Sequence, residues 1–311
     1  MFHLFSTNTY TNVKECVNFA VSKSDTFDGE SKKSELLSYQ QSFRFFDDIP
    51  DEDWKRIQEI KRRTWPNHNG KNPLDKYSHR MGTKDWKRQS NWWYAENFQE
   101  EFHCRFAERL PASGWDGLGD GPKWVCDPYR IAKQKDCLVY SIGSNGNVMF
   151  EAGVKDQISK NCEIHTFDPG ASNKRFGDFG EALKPYSTFH QWALGTDKEA
   201  KRRKDIKTLD MTVTELGHEG RRIDVFKNEL CEWSTFGDWL KYDIRQILVE
   251  THNAPNPGIR DFFYKLHDAG YVIFSKEGNW QNQCGGAEYA FIKLSTDFMI
   301  DGSLYENYLD K

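Results

Sequence analysis

The sequence predicts an α/β fold: a seven-stranded, mostly parallel sheet with an antiparallel last strand, preceded by an N-terminal helical segment. Three observations carry this. Leu138-Val139-Tyr140-Ser141-Ile142 is an apolar run that breaks into Gly143-Ser144-Asn145-Gly146, and a second run, Glu163-Ile164-His165-Thr166-Phe167, ends at Asp168-Pro169. From residue 137 onward, apolar runs alternate with amphipathic stretches, the rhythm of parallel strands joined by helices. The last two runs are joined by Lys276 to Gly286, a Gly- and Asn-rich loop with no helical period, and a connection without a helix favours an antiparallel pair.

The elements follow in order. Residues 1–85 are polar and form a variable accessory segment with two helical patches. The first covers Ser34 to Phe46. The second follows Asp48-Ile49-Pro50-Asp51-Glu52-Asp53, where Pro and acids suit a first turn. Trp54, Ile57 and Ile60 repeat on one face of it and Pro66 ends it. Residues 86–311 form the α/β domain. It opens with aromatics, Trp86, Trp92, Trp93, Tyr94, Phe98, Phe102 and Phe106, which at helical spacing face a core. Strands are expected at 137–142, 162–167, 188–194, 223–227, 245–250, 270–275 and 287–294. Helices are expected at 147–159, 173–184, 205–217, 233–241 and 258–269.

Composition excludes several classes. The chain has 311 residues, 37% hydrophobic and 29% charged, with a net charge of −4. That balance gives no electrostatic case for nucleic acid, so no nucleic-acid partner is expected. The run Lys201-Arg202-Arg203-Lys204 reads as a solvated loop. No apolar run is long enough for a transmembrane helix. Met1 to Tyr10 lacks the pattern of a signal peptide, and no Asn-x-Ser/Thr sequon is present. Seven cysteines without Cys-x-x-Cys pairs argue against both a disulfide framework and a zinc site. Together these point to a reducing, cytoplasmic location, or to a secretory lumen if the N-terminus is truncated. No metal ligand set is read.

The chemistry starts at the glycine turn. Glycine lets a strand turn sharply into a helix, and the helix N-terminus then offers free N–H groups and a positive dipole end. An acid at the tip of the next strand can accept both hydroxyls of a ribose. Asp168 follows Gly143 by 25 residues, against the roughly 20 expected of such a unit. Two glycines closing an ordinary α/β turn would give the same local pattern. The turn is Gly-x-x-Gly, short of the dinucleotide fingerprint Gly-x-Gly-x-x-Gly. With the final hairpin, the layout is that of class I methyltransferases, a Rossmann-like fold, rather than of a dehydrogenase.

Several stretches carry a resemblance. They are Lys123-Trp124-Val125-Cys126-Asp127-Pro128, Val139 to Gly146, His165-Thr166-Phe167-Asp168-Pro169, Lys207-Thr208-Leu209-Asp210, Leu216-Gly217-His218, Ile223-Asp224-Val225-Phe226-Lys227, Glu232-Trp233 and Phe262-Phe263-Tyr264. In order, over residues 90–298, they resemble the methyltransferase-like twenty-four group, related to the FkbM-type methyltransferases. The resemblance implies S-adenosylmethionine as methyl donor and a poorly defined acceptor; the FkbM-type relatives methylate hydroxyl groups, often on sugars. By position, it implies that Gly143, Ser144, Asn145 and Gly146 approach the methionine moiety and that Asp168, with Pro169, holds the ribose. Ala193, Leu194 and Gly195, at the end of the third strand, would lie near the adenine. One departure stands out. Relatives carry Asp-x-Glu-Gly-x-Glu-Trp after the fourth strand, whereas this chain has Asn228-Glu229-Leu230-Cys231-Glu232-Trp233, about two residues shorter.

A hydroxyl acceptor must lose a proton, so a base is sought at the C-terminal strand ends. Glu250-Thr251-His252 follows the fifth strand: His252 reads as general base with Glu250 orienting it or contacting a metal, or else Glu250 is a cap and His252 a loop residue. Glu229 can replace the carboxylate missing from the short turn. His165 and His190 lie within strands and read as structural. The leading function is S-adenosylmethionine-dependent O-methylation of a small molecule or glycan. A non-catalytic binding protein that keeps the fold is the alternative the short turn favours, and a nicotinamide-dependent oxidoreductase is the less favoured one.

Overall fold

The structure is a computed structural model. It describes residues 93–293 apart from 95–96, 103, 105, 112–121, 133, 230–238, 253–256 and 280–285. The accessory segment 1–85, Trp86, Trp92 and most of the helix expected at 233–241 lie outside the described residues.

In chain order the elements are β1 (Ala107–Leu110), β2 (Lys123–Cys126), α1 (Pro128–Ala132), β3 (Leu138–Ile142), α2 (Met149–Gly153, continued as one π-helical turn Val154–Ile158), β4 (Glu163–Phe167), β5 (Ser172–Asn173) and β6 (Gly177–Asp178). There follow α3 (Phe179–Leu183), β7 (Thr188–His190), β8 (Ala193–Leu194), α4 (Asp197–Ala200), β9 (Ile206–Lys207) and α5 (Leu209–Leu216). The last are β10 (Ile223–Asn228), β11 (Ile244–His252), α6 (Pro257–Asp268), β12 (Tyr271–Asn279) and β13 (Gly286–Lys293). Seven strands form one sheet in the order β12-β13-β11-β10-β3-β4-β7. β13 runs antiparallel to both its neighbours, and β11, β10, β3, β4 and β7 are mutually parallel. This is the class I methyltransferase layout. The strand order reverses between β3 and β10, and ligands of open α/β sheets bind outside the carboxyl ends at such a point.

The central strands are buried on both faces, which is why they read as continuous apolar runs. Successive side chains alternate between two cores. Leu138, Tyr140 and Ile142 join Phe226, Leu209, Val213 and Phe263 on one face. Val139 joins Val225, Leu248, Phe150 and Val154 on the other. Charged residues inside these strands are paired. Asp224 accepts the Leu138 N–H at 3.1 Å and faces Arg245 at 3.7 Å. The Gln246 amide exchanges two bonds with the Cys126 backbone, at 2.8 and 2.7 Å, and so seats β2 on the sheet.

Two sequence expectations are corrected here. Four cysteines are not free thiols: Cys104 pairs with Cys126, and Cys137 pairs with Cys162. The second pair sits just before β3 and β4, whose register sets Leu138 opposite Glu163. Adjacent strands supply the geometry that linear spacing hid. Such bonds typically contribute 2–4 kcal/mol and belong to oxidising compartments, so cysteine usage does not support a reducing one. The strand expected at 188–194 is two elements. β7 ends at His190, and β8 pairs with β9 outside the main sheet. Among the described residues no helix is long and apolar enough to cross a membrane.

Candidate active site

The turn after β3 has the backbone its glycines predict. Gly143, Asn145 and Gly146 have φ of 75°, 48° and 77°, a region open to glycine and tolerated by asparagine. The Gly143 N–H bonds the Phe167 carbonyl at 2.8 Å, tying the turn to the tip of β4. A Cβ at Gly146 would lie 2.4 Å from the Phe179 ring, so the ring of α3 closes that side. Ser144 is buried, and its hydroxyl accepts from the Gly146 N–H at 3.1 Å.

Asp168 stands at the tip of β4 and is buried. Its carboxylate accepts the Asn145 N–H at 2.6 Å and the Gly170 N–H at 2.8 Å. It therefore holds the turn itself, and an ionised carboxylate keeps lone pairs for further donors. Pro169 is exposed beside it. Ala193, Leu194 and Gly195 lie beyond the third strand rather than at its end. Leu194 is buried in the core, and the Gly195 N–H is bonded to the Lys207 carbonyl at 2.9 Å.

The carboxyl ends of β10 and β11, with β13 and β2, gather a buried charged cluster. Lys227 donates to the Gly143 carbonyl at 3.1 Å and pairs with Glu229 at 2.6 Å. Lys123 pairs with Glu288 at 2.9 Å and faces Glu229 at 3.8 Å. Glu250 stands opposite Glu288 across the β11–β13 ladder and lies 3.3 Å from His252 Nε2. Glu229, Glu250 and His252, nominated from sequence, are thus brought to one site. Lys123, Lys227 and Glu288 complete it and were not nominated as site residues, and Asn228, next to Lys227, leaves the other face of β10. The available signal was a charged residue at the end of an otherwise apolar strand.

The electrostatics are those of a low-dielectric site. Burial works against the charged form of Lys123, but Glu288, Glu229 and Glu250 together push its pKa above the ordinary lysine value. Burial pushes the Glu288 carboxyl up to about 7, with Lys123 opposing and Glu250 reinforcing the rise. Burial also acts to raise Glu229, yet Lys227 and Lys123 outweigh it and hold that carboxyl below its usual value. Asn228 is 0% exposed, and among the described residues neither its amide oxygen nor its nitrogen has a partner. His252 Nδ1 and one Glu288 oxygen are also buried and unpartnered. Buried polar groups are nearly always satisfied. A polar ligand lying across the ends of β3, β10 and β11 would complete them, and an amino acid head group with a ribose fits those donors and acceptors.

A family described as a methyltransferase domain matches residues 36–293. No curated protein matches significantly. Similar solved structures include an rRNA methylase from Streptococcus thermophilus, at 10% identity, covering 53% of this chain and 92% of that one, with a TM-score of 0.34. Another is TrmK of M. capricolum in complex with S-adenosyl-homocysteine, at 16% identity, covering 59% and 80%, with a TM-score of 0.31. A third is the Methanococcus jannaschii fibrillarin pre-rRNA processing protein, at 11% identity, covering 51% and 67%, with a TM-score of 0.32. The expectation of no nucleic-acid partner is corrected by this set. It contains proteins titled as an rRNA methylase and a putative tRNA methyltransferase; the net charge of a whole chain does not report the charge of any one face. With its match over residues 36–293, the chain belongs to the methyltransferase-domain family.

Proposed function

We propose that this chain transfers a methyl group to an oxygen acceptor at the carboxyl ends of β3, β10 and β11. The cofactor is S-adenosylmethionine, which supplies an activated methyl on a sulfonium sulfur. The observation that carries this reading is the Glu250–His252 pair, 3.3 Å apart and buried at the carboxyl end of β11. Gly143 to Gly146 bind the methionine end and Asp168 the ribose, with Pro169 beside it. Ala193 to Gly195 border the adenine side. His252 takes the acceptor's proton, with Glu250 3.3 Å from Nε2. A Cβ at Gly286 would come within 2.8 Å of Nδ1, so the bare glycine leaves room for the ring. Glu229, bridged by Lys227 to the Gly143 carbonyl, fixes the cradle against β10 and stands in for the missing acid of the shortened turn. The finer kinship proposed is with the methyltransferase-like twenty-four group and its FkbM-type relatives. Residues 86–311 form the transferase domain and residues 1–85 an accessory segment. The two disulfides favour an oxidising compartment for it.

Calorimetry with S-adenosylmethionine, S-adenosyl-homocysteine and NAD tests the cofactor. Labelled methyl transfer to a panel of glycans, small alcohols and RNA tests the acceptor. Binding of the first two ligands and label on a hydroxyl oxygen are expected. Binding of NAD alone would overturn the reading. Cofactor binding without transfer to any member of the panel would favour the second reading, a binding protein that kept the fold. The shortened turn after Asn228 is the observation on that side.

A further inference from the structure

A second polar site lies away from the cradle, on the amino-terminal half of β4. Glu163 and His165 are alternate residues of that strand, so both side chains leave one face. Helix α5 ends with Gly217 at φ 68°, and the His218 N–H bonds back to the Val213 carbonyl at 2.9 Å, a glycine termination that satisfies the last carbonyls. It folds His218 onto the sheet, where it is 5% exposed. Glu163 Oε1 lies 2.9 Å from His165 Nε2 and 3.2 Å from His218 Nε2. The three atoms fall within 4.8 Å of one another. The two rings cross at 72°, so they converge edge-on rather than stack.

We infer that Glu163, His165 and His218 form a binding site for one divalent transition-metal ion, with zinc the ion this ligand set favours. Two imidazole nitrogens and one carboxylate oxygen with a fourth position open is a set that zinc accepts. At metal–ligand distances of about 2.0–2.1 Å, the ligand atoms of a tetrahedral site stand about 3.3 Å apart. The two separations here need only a few tenths of an ångström of adjustment.

The outer atoms of the ligands are already held. His218 Nδ1 lies 2.8 Å from the Tyr140 hydroxyl, and His165 Nδ1 lies 2.8 Å from His190 Nε2 with the rings nearly coplanar at 17°. Arg221 donates to Glu163 Oε2 at 2.7 Å, leaving Oε1 for a single contact. Such outer hydrogen bonds orient ligating histidines and set their tautomer. Without an ion, Oε1 accepts from both Nε2–H groups. With one bound, each neutral imidazole carries its proton on Nδ1, facing the Tyr140 oxygen or the His190 lone pair, and no net proton is lost. The Glu163 side chain is 43% exposed, which gives an ion an entry path and a water the fourth position. The Cys137–Cys162 bond sits one residue from Glu163 and anchors the strand start that carries it. The ion would clamp β4 to the loop after α5.

The test is a titration of the untagged, chelator-stripped full chain with zinc chloride, and in parallel with cobalt chloride. One equivalent bound, a zinc-dependent rise in melting temperature and the visible bands of a low-coordinate nitrogen and oxygen site are expected. Tyr140→Phe should weaken zinc binding about 10-fold, and Glu163→Gln or His218→Gln by more than the roughly 100-fold upper range for an outer partner. Circular dichroism checks that each variant folds. Absence of saturable one-equivalent binding to the wild-type chain would overturn the site. So would unchanged affinity in folded Glu163→Gln, or octahedral or thiolate-type cobalt bands in the wild type.

Discussion

At the scale of single residues, Asp168 and the Glu250–His252 pair separate binding from turnover. Asp168 accepts two backbone N–H groups of the loops that it joins. Asp168→Ala therefore removes both the proposed ribose acceptor and the brace of the turn. Calorimetry should show S-adenosylmethionine binding abolished, and unchanged affinity would show that the ribose lies elsewhere. His252→Ala should lose turnover by roughly the 10²–10⁴-fold that a general base contributes, with cofactor affinity retained. Normal turnover would remove His252 from the base role. Glu288 makes a different prediction. Its folded pKa of about 7 stands above the ordinary 4.5. Its contribution to stability is then fully present below pH 4.5 and is lost as pH rises through about 7. Denaturant melts across that window should show wild-type stability falling relative to Glu288→Gln. Parallel curves for the two proteins would refute the shift. Asp168 was legible from its interval after Gly143. Glu288 was not, because its partner Lys123 is 165 residues away and only the β13 insertion brings the two together.

At the scale of elements, apolar runs located the strands and missed their partners. β10 and β11 are buried along their whole length, so their hydrophobicity was visible, but nothing local says that β13 lies beside β11. The same blindness covered the disulfides. Cys137 and Cys162 have no motif spacing, and they meet because β3 and β4 are neighbours in register. Replacing both with serine should cost about 2–4 kcal/mol, read from urea unfolding as a lower midpoint, with a slope that rises as the uncrosslinked denatured chain expands. No shift in that midpoint would mean that the bond contributes nothing to stability. The split at Trp192 is likewise a matter of partners. The Lys207 ammonium lies 3.6 Å over the Trp192 ring, and β8 takes its ladder bonds from β9 rather than from the main sheet.

At the scale of the whole molecule, the proposed cofactor site lies where the strand order reverses, and the charged cluster draws on β2, β10, β11 and β13 together. A ligand held by that many elements binds the folded state alone. At 100 times its dissociation constant it should add about 2.7 kcal/mol of stability. Thermal melts should rise with S-adenosylmethionine and not with NAD, and the reverse would sink the donor assignment. By itself the sequence determined the strand runs, the glycine turn, the acid at β4's tip and the final hairpin. Those follow from backbone sterics and side-chain period, which act over a few residues. Tertiary structure alone decided the cysteine pairs, the Lys123–Glu288 contact, the departure of β8 from the sheet and the convergence of Glu163, His165 and His218. Each depends on which strands lie side by side, and a periodicity read along one strand carries no information about its neighbour.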